Sequence, residues 1–369
     1  MATPFGNLSL SYRQVLDAVW RSGPSSRAEI AARTGFTRPA ISQIVQELTN
    51  MGLLTEQAAR KGQRGQPARP VTVKGAAGFS AGVNFSHSYL EVALVDLSGA
   101  LIATKRADID RPDPDTIAQT VKQLLDKMIK ARSLDRRKVL GVGISMPADF
   151  SAEGTWLPHV YFPELRMPDV ARQFENILDT TVILENDGRV CALGERVMGA
   201  GKAYRTFMLV HIGHGVGGGL IIDGKPYRGA LGNAGIMGQY YPYGSPRPSG
   251  QDLLETLRAA GIDVDDFDDL ERLPDTSEVV GQWILRAAGQ LCGDIARVSR
   301  FFGPEAVILA GRLPPSITDR LARAIDMDSI LRPMDDLPIP PLLASSLGSS
   351  AGMIGAASLP IFQSLLPNH

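Results

Sequence analysis

Residues 25–48 constrain this chain more than any other stretch. Ser26 and Glu29 stand at the spacing of a capping box, in which each side chain satisfies a backbone N–H at the start of a helix. Gly35 ends that helix in a turn, Thr37 caps the next one, and Pro39 falls in its first turn, where no N–H partner is lost. In the second helix Ile41, Ile44, Val45 and Leu48 form one apolar stripe and pack inward, which leaves Arg38, Ser42, Gln43 and Gln46 facing out. Two short helices around a glycine turn have the build of a helix-turn-helix, whose second helix enters a DNA major groove. Thr37, Arg38, Pro39, Ser42 and Gln43 form its expected contact edge. Arg38 suits guanine, Gln43 suits adenine, and Thr37 and Ser42 suit phosphates.

An earlier helix is marked by Leu10, Val15, Leu16, Val19 and Trp20 and stopped at Ser22-Gly23-Pro24. After the reading helix, Leu53–Glu56 and Ala68–Val73 look like strands joined by a basic loop, in which Arg60, Lys61 and Arg64 are the expected wing contacts to DNA. Charge divides in the same place. Residues 1–74 hold ten Lys/Arg against four Asp/Glu, a net of +6, while the rest hold 28 against 35, a net of −7. That split suits a nucleic-acid reader joined to a body that does not bind nucleic acid. A small helical protein-interaction module with a solvated basic loop is the plainer alternative.

At 369 residues the chain is long enough for two or three units. No apolar run approaches a membrane span and no basic-then-apolar leader opens the chain, so a cytoplasmic protein with no membrane partner is expected. Cys191 and Cys292 stand apart in apolar surroundings and read as buried free thiols.

From Gly78 strands alternate with helices. A hairpin is expected over Ser80–Ala103, a helix over Asp115–Ala131, and strands over Val139–Ile144, Val182–Leu184, Met208–Ile212 and Ala306–Ala310. A long helix is expected over Gln282–Phe302.

In this order and spacing, Gly141-Val142-Gly143-Ile144-Ser145-Met146-Pro147, Glu185-Asn186-Asp187, Ala192-Leu193-Gly194-Glu195, Gly215-Val216-Gly217-Gly218-Gly219 and Tyr227-Arg228-Gly229-Ala230 resemble the ROK family of sugar kinases and related repressors. The N-terminal module resembles the winged helix of ROK repressors, with Gly65-Gln66-Pro67 where the wing usually carries Gly-Arg-Pro. The resemblance implies a winged helix over 1–74, then an α/β, actin-like (ribonuclease H-like) body with a first lobe over 75–190 and a second over 191–369. The C-terminal helix would pack back across the lobes.

Departures from the family pattern bear on chemistry. Where the kinases place Asp-x-Gly-x-Thr, this chain has Asn84-Phe85-Ser86-His87-Ser88, with no acid for magnesium and no bare glycine beside a phosphate. His214 replaces the usual Thr of the second phosphate loop. Phosphoryl transfer depends on positioning and charge neutralisation, so ATP and magnesium are not expected here. Asp187 matches the kinases' catalytic base, yet a carboxylate at that strand end equally serves as acceptor for a sugar hydroxyl. The family's Gly-Glu-Ile-Gly-His becomes Gly235-Ile236-Met237-Gly238-Gln239. Its zinc cysteines give way to Tyr241-Pro242-Tyr243-Gly244 and Ser249-Gly250-Gln251, so neither zinc nor any other metal is expected, and Tyr241 and Tyr243 are expected to pack into the space. Asn186, Asp187, Asn233, Gln239 and His159 are the expected effector contacts, His159 being equally readable as a surface-loop residue.

The resemblance and its departures together imply a homodimeric DNA-binding regulator, a repressor of carbohydrate metabolism, reading a double-stranded operator and gated by a carbohydrate effector in the cleft. No catalytic residue is then expected. A sugar kinase that retains a helix-turn-helix, with Asp187 as base, is the alternative, and a scaffold governed by a protein partner is a third.

Overall fold

A computed structural model describes residues 8–56, 69–151, 155–167, 169–331 and 337–366. At the N-terminus α1 (Leu10–Ser22), α2 (Arg27–Thr34) and α3 (Arg38–Asn50) precede a small antiparallel pair, β1 (Leu54–Glu56) and β2 (Val71–Val73). The Ser26–Glu29 capping box forms, Gly35 takes the left-handed turn at φ 73°, and Thr37 Oγ1 accepts the Ala40 N–H. Ile41, Val45 and Leu48 are buried with Val15, Leu16, Val19 and Ile30, whereas Ile44 is only half-buried. Leu10 opens α1 on the outside, 62% exposed, so the inward stripe begins a turn later at Val15. Arg60, Lys61 and Arg64 of the wing lie outside the described residues.

The first lobe holds β3 (Phe79–Phe85), β4 (Tyr89–Asp96), β5 (Leu101–Asp108), α4 (Pro114–Ala131), β6 (Val139–Met146), the small hairpin β7 (Ala148–Phe150) and β8 (Trp156–Pro158), α5 (Val170–Leu178) and β9 (Val182–Asn186). Next, α6 (Asp187–Met198) leads to β10 (Phe207–Ile212), β11 (Val216–Ile222), β12 (Lys225–Tyr227), α7 (Gly250–Ala259), α8 (Glu278–Phe302), β13 (Ala306–Gly311), α9 (Pro315–Ala324), α10 (Asp328–Leu331) and β14 (Leu342–Ala344). The sheets run β5-β4-β3-β6-β9 and β12-β11-β10-β13-β14. In each, the first three strands in sequence are antiparallel neighbours and the last two join in parallel. This repeated order is the actin-like fold expected from the sequence. Strands β3, β10 and β13 are buried throughout, β13 as an unbroken run of apolar and small residues and the other two with Ser80, Asn84 and His211 among apolar neighbours, while the edge strand β5 shows Thr104, Lys105 and Arg106 to solvent.

The last helix, α11 (Ser350–Leu365), is buried along most of its length against α6 and the β3–β6 face of the first sheet. It approaches so closely that a Cβ at Gly355 would overlap the Val190 carbonyl oxygen. The far end of α11 carries α1: Trp20 meets Phe362 edge-on at 5.1 Å, and Trp20 Nε1 donates to Leu97 O at 3.2 Å. Arg13 donates to Leu366 O at 3.2 Å. Val15, Val19 and Leu48 thereby share one apolar core with Ala93, Val95, Met353 and Ile361. On its other side Arg21 donates to Gly224 O, in the β11–β12 turn of the second lobe. Helix α1 thus touches both lobes.

Candidate functional site

A cavity of about 380 Å³ opens between the lobes. Asp187 is the first residue of α6, where the unsatisfied N–H groups favour a carboxylate. Its Oδ1 accepts the Gly188 N–H at 2.8 Å, and Oδ2 stands 3.5 Å from His211 Nε2. Beneath it, buried Glu185 binds Arg189 at 2.7 Å and Arg228 at 2.5 Å, and Arg189 donates to Gly232 O at 2.7 Å. This network fixes the strand end from which Asp187 projects and ties it to the second lobe.

Of the expected effector contacts, Asn186, Asp187, Gln239 and His159 line the cavity together. Asn186 is largely committed: it caps Arg189 N–H and donates to Ala148 O at 3.0 Å. Gln239 sits exposed at the rim. His159 reaches in, with Nε2 2.6 Å from the Tyr243 hydroxyl. Asn233 is not brought to the cavity wall. Its amide exchanges two hydrogen bonds with the Phe150 backbone, at 2.7 and 3.0 Å, and so clips the hairpin β7–β8 to the second lobe. Tyr241 packs inward as expected and donates to Asp294 at 2.9 Å, its phenol pushed up by burial and that acid. Tyr243 instead stays half out, at the cavity mouth.

Four titratable lining residues escaped the sequence reading: Asp149, His211, Arg247 and Arg312. Burial, with Asp187 nearby, pushes the Asp149 carboxyl up to about 6. Burial also lowers His159, His211 and, most strongly, His214, so all three rings are neutral near pH 7. Pro-Arg-Pro at 246–248, in the loop that replaces the zinc cysteines, was the available signal for Arg247.

The altered phosphate loops meet across the cleft. His87 Nε2 donates to Tyr161 O at 2.7 Å, which leaves Nδ1 to accept from His214 Nε2 at 2.9 Å. The hydroxyls of Ser86 and Ser88 donate to Asp266 at 2.9 and 2.6 Å. Arg312 donates to Asn84 Oδ1 at 2.9 Å and to Phe85 O. A nucleotide–magnesium group does not fit this arrangement: the side chain in the family's acid position accepts from a guanidinium, and the turn's hydroxyls are bound to an acid. The loop in the zinc position offers phenols and amides without thiolates. Among the described residues no group of three or more His, Cys, Asp or Glu could hold a metal, and Cys191 and Cys292 are buried free thiols.

On the N-terminal module Thr37, Arg38, Pro39 and Gln43 are exposed along one edge of α3 and Ser42 is half-exposed. The Thr37 hydroxyl serves as helix cap, and Gln43 Nε2 donates to Glu47 at 3.1 Å on the surface.

Comparison with known proteins agrees with both halves. A model of the ROK family matches residues 80–251, and one of the MarR family matches residues 7–65. The chain is 37% identical over 359 residues to the uncharacterized protein y4fQ of Sinorhizobium fredii, across 96% of this chain and 92% of that one. It is 24% identical over 378 residues to the xylose repressor of Bacillus spizizenii, across 95% of each. A crystal structure of a ROK family transcriptional regulator, a homolog of the E. coli MLC protein, shares the fold with a TM-score of 0.69 at 22% identity, over 96% of each chain.

Proposed function

Because this chain belongs to the ROK family and carries a winged helix as that family's transcriptional regulators do, we propose that it is a DNA-binding repressor gated by a small molecule. As a cytoplasmic homodimer it reads a double-stranded operator through α3 and the wing, and a carbohydrate or carbohydrate derivative enters the interlobe cavity. The observation that carries the gating is the placement of α1. Its Trp20 and Arg13 hold the first lobe and α11, and its Arg21 holds the second lobe at Gly224. A rotation of one lobe against the other therefore strains or breaks one set of contacts and moves the reader. Asp187, projecting from the α6 end into the cavity, serves as acceptor for sugar hydroxyls.

The same family includes sugar kinases, and Asp187 occupies their base position. Against a kinase stands the Asn84–Arg312 contact in the place of the magnesium acid, together with His87 and His214 in the place of the phosphate loops. We therefore propose a body that binds without phosphoryl transfer, and without zinc, ATP or magnesium. The test is a gel shift with duplexes selected from a random pool, run with and without a panel of sugars. Retarded DNA that a sugar releases supports the reading. ATP-dependent phosphorylation of any hexose or amino sugar, lost in Asp187→Asn, would reverse it.

A further inference from the structure

Arg247 is 4% exposed and lies in the cavity wall. Its position is rigid. Pro246 and Pro248 flank it, Gln290 Nε2 donates to Pro246 O at 2.8 Å, and Ser249 caps α7 immediately after. The guanidinium donates to Gly238 O at 3.1 Å and lies 4.2 Å from the centre of the Tyr243 ring. Its Nε and NH1 are buried with no partner of good hydrogen-bond geometry, the Tyr161 phenol being a neighbouring polar group that the guanidinium influences. Glu255, on α7, is engaged by Gln251 at 2.9 Å. A buried cation in this condition is costly unless something supplies the missing acceptor. Its planar fork matches an oxyanion with two oxygens.

The rest of the wall sorts the ligand's other end. Asp187 and Asp149 bring acceptor oxygens to the wall from the first lobe, whereas Arg247 comes from the second lobe. His159 and His211 each add a buried Nδ1 with no hydrogen-bond partner, while His211 Nε2 faces Asp187 at 3.5 Å.

We infer that the effector is a polyhydroxylated oxyanion, a sugar acid or sugar phosphate, whose hydroxyls meet Asp187 and whose oxyanion is forked by Arg247. This rests on the effector-gated reading above and names the class of molecule. Such a ligand joins a first-lobe acid to a second-lobe cation, so its binding bears directly on the angle between the lobes.

The test is calorimetry on the full chain at matched ionic strength. D-Gluconate, D-glucuronate and hexose and pentose phosphates are compared with their neutral parent sugars and with inorganic phosphate. At least one acid should bind about thirtyfold or more tighter than its neutral parent, the lower end of what a buried charge pair supplies. Uronates ahead of phosphates would assign a carboxylate, and the reverse a phosphate ester. Arg247→Gln should cut the preference to threefold or less, with Arg247→Lys intermediate because it keeps the charge and loses the fork. Arg247→Met should leave the melting temperature of ligand-free protein unchanged or raised, since an unpaired buried charge is removed. A fall in that temperature would instead assign Arg247 a structural role and overturn the inference. Neutral sugars binding as tightly as acids, inorganic phosphate binding as tightly as any sugar acid, or a preference that survives Arg247→Gln, would overturn this inference and leave the effector reading in place. No binding by any sugar, charged or neutral, would overturn both.

Discussion

His87 Nδ1 lies 2.9 Å from His214 Nε2, and the contact joins the turn of the first lobe's leading hairpin to the glycine loop of the second. His87 stacks on Phe162 at 4.4 Å, and His214 meets Phe267 edge-on at 4.8 Å, so apolar rings enclose the pair. The His87–His214 contact thereby holds one lobe to the other.

Acid should loosen the cleft. Burial lowers His159, His211 and His214 below their ordinary value of 6.5, so unfolded protein binds more protons and stability is lost as pH falls through 6.5. Asp149, raised from 3.8 to about 6, acts oppositely: the folded state binds the extra proton, and stability is gained as pH falls from about 6 toward 3.8. Thermal melts should therefore show stability falling below pH 6.5. Asp149→Asn should be on the order of 1–3 kcal/mol more stable than the parent at pH 7 and fall more steeply below pH 6. A variant no more stable at pH 7 would contradict the environment assigned to Asp149.

Restoring the kinase acid should not restore a kinase. In Asn84→Asp the new carboxylate meets Arg312, which already donates to that side chain at 2.9 Å. The expected result is a raised melting temperature, no magnesium–ATP binding by calorimetry and no sugar phosphate by mass spectrometry. Nucleotide binding by the variant would show that the groove had stayed open.

Arg38→Ala and Arg64→Ala should differ in kind. Arg38 is exposed at the entry to α3, so its loss should cost about 1–3 kcal/mol at selected sequences and relax base preference at one position. Arg64, in the wing, should weaken all sequences alike and reduce the salt slope by about one. Selection from random duplexes followed by salt titration separates the two.

Arg21→Ala should uncouple without unbinding. It removes the α1 contact with Gly224 of the second lobe while Trp20 and Arg13 keep the reader on α11. DNA affinity without effector should be retained, and the effector's influence on it, ordinarily worth about 1–3 kcal/mol, should fall toward zero. Unchanged effector release from DNA would place the coupling elsewhere.

Much of this molecule was legible in its residues. The capping box at Ser26 and the turn at Gly35 are local signals that formed as read, and the stripe of Ile41, Ile44, Val45 and Leu48 did so except at Ile44, which is only half-buried. Strands β4, β6, β9, β10 and β13 announced themselves as apolar runs, whereas the short β7, β8, β12 and β14 did not. What stayed hidden depends on long-range packing. That Asn233 faces the Phe150 backbone follows from the path of the β7–β8 hairpin, which no spacing in its own segment reveals. The isolation of Arg247 from acids is equally a product of tertiary placement. The union of α1 with α11 joins residues some 340 positions apart through Trp20 and Phe362.

The central claim is that one chain reads DNA and that occupancy of its cleft governs the reading. Fluorescence anisotropy of the full-length protein with a selected duplex, titrated with salt in the presence and absence of the tightest-binding sugar, tests it directly. The account predicts that log affinity falls linearly with log salt, with a slope of several counterions, and that the sugar shifts the whole line by about fivefold or more. No DNA binding at about 50 mM salt, or a line that no cleft ligand moves, would contradict it.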